Sequence, residues 1–186
     1  LTSFTTYASG GTRTDLGNDE HKFVTDAAEF SSLGFSPVPA YGRKLFAEVH
    51  MDAVTTTPRA WLIVRFWQEG GTEGGIDGRS DQYRTWESFG YVRWDENRGN
   101  ADGACGTFAT GDTIGIALDM VDEELTWYKI NTATGTLTNP CNRVFSFANA
   151  GGGIMDPDVI DACTGVSLEF GGRSAPASAT FKLNST

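Results

Sequence analysis

Gly111-Asp112-Thr113-Ile114-Gly115-Ile116-Ala117-Leu118-Asp119-Met120-Val121-Asp122-Glu123-Glu124-Leu125-Thr126-Trp127-Tyr128-Lys129 decides the architecture. Ile114, Ile116 and Leu118 recur at period two, with small Gly115 and Ala117 between them. An acidic turn from Asp119 to Glu124 separates this run from Leu125-Thr126-Trp127-Tyr128. Alternation over such a length, rich in β-branched and aromatic residues and bounded by turn formers, predicts a β-hairpin inside a sheet. The bare face at Gly115 and Ala117 predicts that something large packs over it.

The same pattern extends on both sides. Lys44–Ala53 alternates Leu45, Ala47, Val49 and Met51 against Phe46, Glu48, His50 and Asp52, which predicts a strand. Trp61–Trp67 is apolar apart from Arg65, as expected of a strand buried on both faces. Further strands are predicted at Ser88–Trp94, Arg143–Ala148 and Val166–Phe170, the last followed by a Ser/Ala-rich tail ending in Thr180-Phe181-Lys182-Leu183. Glu69–Gly78, Asp95–Gly106 and Asp156–Asp161 read as polar loops. Residues 1–40 are rich in Thr, Ser, Gly and Asp and are read as an N-terminal arm with one or two edge strands, and 41–186 as the sandwich itself. Within the arm, Asp26–Phe30 has room for a single helical turn. With 23 glycines, 12% aromatics and no long helical period, the composition is that of a turn-rich all-β domain.

Four pieces of this pattern resemble the SPRY family. Gly111-Asp112-x-Ile114-Gly115-x-Ala117-Leu118-Asp119 followed by Leu125-Thr126-Trp127-Tyr128-Lys129 is similar to its signature hairpin. Gly42–Val49, Ser88-Phe89-Gly90-Tyr91 and Val166-Ser167-Leu168-Glu169-Phe170-Gly171 are similar to its Glu-Val, Gly-Tyr and closing Phe-Gly strands, in the family's order. The chain departs from the family at Ile130–Gly135, where an Asn-Gly turn is expected, and at Trp61–Trp67, which lacks the usual glycines. The resemblance implies an antiparallel β-sandwich of the SPRY, concanavalin-A-like kind, serving as a recognition module that presents loops to a protein partner. Relatives in phage and viral structural proteins close on a similar Phe-Gly and Phe-Lys-Leu-Asn pattern, which implies a virion-surface, tail-fibre or capsid-associated role.

Net charge of −10 disfavours binding to a phosphate backbone, so no nucleic-acid partner is expected. No apolar run approaches the roughly 20 residues of a membrane helix. The chain starts at Leu1, which is taken as a processed or incomplete terminus. Cys105, Cys141 and Cys163 lack the close spacing of zinc or redox motifs; one disulfide plus a free thiol, or three free thiols, are both open.

Three groups of residues could carry chemistry. Glu48 and Asp52 with His50 between them would share one strand face, the arrangement a concanavalin-A-like glycoside hydrolase could use. The alternative is a half-exposed polar face. Asp156, Asp158 and Asp161 could offer oxygens to calcium, against the default of a solvated acidic loop. His21 and His50 are the two histidines, and no Gly-x-Ser-x-Gly elbow accompanies them. The chain is therefore expected to be no enzyme and to need no cofactor.

A binding surface remains. Tyr83, Arg84, Trp86, Arg93, Trp94 and Arg98 cluster around the segments 69–87 and 95–106. Tyr, Trp and Arg dominate interaction hot spots because they bring large contact area at low entropy cost. Trp61, Trp127 and one of the pair Tyr91 and Trp94 are expected in the core, Trp86 and Tyr83 at the surface. The expected partners are other structural proteins, a second copy of the chain, or a cell-surface protein or glycan, in an extracellular or virion-surface setting. An intracellular SPRY adaptor is the alternative.

Overall fold

The computed structural model describes residues 4–6, 11–26, 31–35, 38–39, 43–54, 60–68, 83–88, 90–94, 101–122, 124–142, 144–146 and 163–184. Its strands in chain order are β1 (Phe4–Thr6), β2 (Gly11–Gly17), β3 (Glu20–Thr25), β4 (Ser31–Phe35), β5 (Val38–Pro39), β6 (Lys44–Ala53), β7 (Ala60–Gln68) and β8 (Tyr83–Glu87). They continue with β9 (Tyr91–Trp94), β10 (Ala101–Ala104), β11 (Thr113–Asp119), β12 (Glu124–Asn131), β13 (Thr136–Thr138), β14 (Phe145–Ser146), β15 (Cys163–Gly172) and β16 (Ser178–Asn184). No helix occurs among the described residues.

Two antiparallel sheets form a sandwich. The first runs β1-β4-β15-β7-β8-β9-β10, with β5 also on β15; the second runs β13-β12-β11-β6-β16-β3-β2, with β14 also on β12. The quoted hairpin is β11 and β12, in register Ile116 to Trp127 and Leu118 to Leu125. On its other side β11 pairs with β6, Ile116 opposite Ala47, so the hairpin lies inside the sheet as expected. Ile114, Ile116 and Leu118 are buried with Val49, Met51, Trp127 and Phe181, and Leu62, Val64, Trp86 and Phe170 meet them from the first sheet. What covers the bare face is the ring of Phe46: a Cβ on Gly115 would lie 2.9 Å from its Cζ and 3.3 Å from Ile130 Cδ1.

Two turns show their chemistry. Asp119 accepts the backbone N–H groups of Val121 at 3.0 Å and Asp122 at 3.1 Å, so the acidic turn is held by its first carboxylate. Asn18 and Asp19 both have positive φ, 54° and 59°, the pairing a two-residue type I′ hairpin turn requires between β2 and β3.

The sequence reading needs four corrections. The N-terminal forty residues supply five strands rather than one or two, and β3 is an interior strand whose Phe23 enters the core. Ser88 and Gly90 form a turn, so that predicted strand shortens to Tyr91–Trp94, while Tyr83–Glu87, taken as loop, is a strand. Ala101–Ala104, also taken as loop, pairs with β9. The apparent tail is β16, lying between β6 and β3 with Ala179 and Phe181 buried. The segment 27–30, most of the proposed helical turn, lies outside the described residues.

The open question about cysteines resolves to a Cys105–Cys141 disulfide. Cys105 follows β10, the edge of the first sheet, and Cys141 lies between β13 and β14 on the matching edge of the second. The bond therefore closes one flank of the sandwich. Beside it the Gly106 N–H donates to Pro140 O at 3.0 Å.

Candidate functional site

Register brings the predicted segments together. Cys163 is opposite Gln68, Tyr83 opposite Arg65, Trp94 opposite Arg84, and Ala101 opposite Arg93. Gln68, Tyr83, Trp94, Ala101 and Cys163 thus share one end of the first sheet, while β14, which precedes 147, belongs to the second. Residues 69–82, 95–100 and 147–162 lie outside the described residues. Tyr83, Arg84, Arg93 and Trp94 lie in the strands that carry them: Arg84 is the register partner of Trp94 and Thr85 of Arg93. Arg98 lies outside the described residues, as do Asp156, Asp158 and Asp161. Among the described residues no group of three or more His, Cys, Asp or Glu could hold a metal.

Trp86 is not at that surface. It is 0% exposed, with its ring 5.1 Å from Phe108 edge-on and 5.8 Å from Trp127. Its Nε1–H donates to Gly106 O at 3.0 Å, which satisfies the one polar atom of a buried indole. The expectation of an exposed Trp86 fails because Tyr83–Glu87 is a strand, and strand alternation turns the indole inward, opposite Leu62. Gly106, assigned to the contact loops, sits at the opposite end of the sheet, where the adjacent Cys105 N–H donates to Gly90 O. Trp86 is thus a base beneath the strands, and the surface residues are to be sought among its neighbours.

The outer face of the second sheet carries Glu48, His50 and Asp52. His50 Nδ1 is 3.0 Å from Thr113 Oγ1. Asp52 accepts from Thr180 Oγ1 at 2.9 Å and lies 3.5 Å from Lys22 Nζ. Four residues along a strand place the Glu48 and Asp52 backbones about 13 Å apart. Glycosidase carboxyl pairs stand roughly 5–9.5 Å apart, so this spacing, with Asp52 tied to Lys22 and Thr180, argues against the hydrolase alternative. The cross-strand partners Thr180, Lys22 and Thr113 escaped the sequence reading, since their positions depend on which strands are neighbours.

Charge is organised more strongly at the hairpin. Lys44 forms ion pairs with Asp119 and, at 3.3 Å, with Asp122. The Lys44 ammonium, and after it the backbone amides of Asp122 and Val121, hold the Asp119 carboxyl down at about 2. The same contacts with Asp119 and Asp122 raise Lys44. In β3, burial pushes the His21 imidazole below its ordinary value, against the opposing pull of Asp15.

No family model matches the chain, and no curated protein matches it in sequence. Solved structures do match in shape. The SPRY domain of human HERC1 superposes with a TM-score of 0.52 at 11% identity, over 94% of this chain and 96% of that one. The fold is the SPRY, concanavalin-A-like sandwich. The PSpry domain of TRIM65 matches it at TM-score 0.53 and 11% identity, over 99% and 93% of the two chains. Peanut lectin matches at TM-score 0.50 and 12% identity, over 99% and 93%. This SPRY-type sandwich therefore shares its architecture with SPRY domains and with a lectin.

Proposed function

We infer that the chain is a non-enzymatic recognition module, using the end of the first sheet at which Gln68, Tyr83, Trp94, Ala101 and Cys163 lie. One observation carries this: five strand ends, Gln68, Tyr83, Trp94, Ala101 and Cys163, converge there on a rigid two-sheet base. Function on such scaffolds resides in loops held by a packed frame. The partner is a protein or a glycan, and Tyr83, Arg93 and Arg98 are the contacts proposed, since register puts Tyr83 and Arg93 on the opposite strand face from Trp86. An extracellular or virion-surface, fibre-like or capsid-associated setting is the favoured one. The Cys105–Cys141 bond supports it, because disulfides persist in oxidising surroundings. The near-complete overlap with the HERC1 SPRY domain supports the second reading, an intracellular adaptor.

The test is a parallel screen of the purified chain on a glycan array and against a displayed library of linear peptides. Binders lost on Tyr83→Ala or Arg93→Ala and kept on Asp52→Ala support the site. Binders that survive both substitutions and fail on Asp52→Ala would move recognition to the outer face of the second sheet. Cysteines of the purified native protein found as thiols would favour the adaptor.

A further inference from the structure

The sandwich has four outer strands among the described residues, and they are not alike. β1 and β13 are three residues long and β10 four, which is how natural sheets blunt their edges. β2 has seven residues, all exposed, and β3 is its one described neighbour. A strand of that length presents a row of backbone donors and acceptors to a further strand.

Its side chains restrict what can add. Arg13 and Asp15 share one face, with Nη2 3.8 Å from Oδ2, and Thr14 lies between them. A two-fold axis that continues the sheet keeps faces matched, so the antiparallel register must centre on a residue. Centred on Arg13, two guanidiniums oppose each other; centred on Asp15, two carboxylates do. Centred on Thr12, Arg13 faces Gly11 and Asp15 runs past the strand to the position of Ser9. Centred on Leu16, Asp15 faces Gly17 and Arg13 runs past the strand, beyond the register shift between Asp15 and Gly17, to the turn residue Asp19. Centred on Thr14, Arg13 faces Asp15 of the second copy and Asp15 faces its Arg13. Leu16, 49% exposed, then comes to lie near Thr12 of the second copy. Of the registers that pair both charges within β2 itself, the one centred on Thr14 is complementary, and the like-charge clashes act against those centred on Arg13 and Asp15.

We propose that β2 is a homodimer interface, in which two copies join their second sheets through antiparallel β2 strands about a two-fold at Thr14. This goes beyond recognition at the loop end, which stands or falls separately because β2 belongs to the other sheet.

The experiment is sedimentation velocity on the full chain across micromolar concentrations, with Arg13→Asp, Asp15→Arg and an equimolar mixture of the two. Wild type is expected to sediment at twice the chain mass. Each variant alone carries like charges in the Thr14 register and should dimerise about tenfold more weakly or not at all. Mixed, they restore two opposite-charge pairs between chains, and association should return. Rescue by mixing cannot come from the pair within one chain, since neither variant retains it. Slowed amide exchange at 12–16 in the wild-type and mixed samples gives a second readout. A wild type that stays monomeric, a dimer indifferent to both substitutions, or variants that stay apart when mixed would each overturn the proposal.

Discussion

Gly115 and Asp119 sit on the same strand and are held in opposite ways. Gly115 leaves the room that the Phe46 ring occupies, so Gly115→Val drives a branched side chain into Cζ and into Ile130 Cδ1. Overpacking of this kind costs about 1–3 kcal/mol, and Phe46→Ala in the same chain should recover part of it; urea titration of the four proteins reads the coupling. Asp119 acts through charge. Its folded value of about 2 lies below its ordinary 3.8, so ionisation favours the folded chain. That contribution is complete above the ordinary value and is lost as pH falls from about 3.8 to about 2. Asp119→Asn should flatten the stability profile in that window, and denaturant midpoints at stepped acid pH check it. Leu118, buried against Leu125 and Leu45, shows the third kind of dependence: Leu118→Ala should cost about 2–5 kcal/mol by opening a cavity.

Among the elements, the hairpin could be read from sequence because β-branched and aromatic residues alternate there without interruption. β16 was hidden by composition. Ala177, Ala179 and Phe181 keep period two, but small residues bury with little hydropathy to announce them. β2 gave no alternation because all its residues are exposed, and β8 followed a glycine-rich stretch whose character spread into the reading. The burial of Trp86 followed from that one misassignment, since an indole on a strand is committed to a face and one on a loop is not. The disulfide pairing depended on which edges abut, which no spacing of three cysteines encodes. Its loop spans 36 positions, so closing it restricts the unfolded chain by about 4 kcal/mol. Cys105→Ser with Cys141→Ser should lower stability by roughly 2–5 kcal/mol, read by denaturant midpoint with and without reductant.

For the whole molecule, one core joins both sheets through Trp86 and Trp127, which leaves no seam at which either sheet could keep its packing alone. Far-ultraviolet and near-ultraviolet circular dichroism should therefore melt together in one transition; two separated transitions would show the sheets to be independent. The contact end was legible as a cluster of aromatic and basic residues near polar segments. Its geometry was not, because strand ends converge only once the order β15-β7-β8-β9-β10 is known.

The place of β16 bears on how the protein is made. Thr25 and Ala177, 152 positions apart, exchange hydrogen bonds, and β16 separates β3 from β6. A ribosome adding about 5–20 residues per second emits the β2–β3 hairpin roughly 8–30 s before the strand that must dock beside it. Throughout that interval Phe23 and Val49 face a gap in an unfinished sheet. Translation itself thus delays closure of the core until β16 appears. Nascent chains halted before Ser178 should be cut readily by protease, while chains extended past the exit tunnel with β16 free should resist.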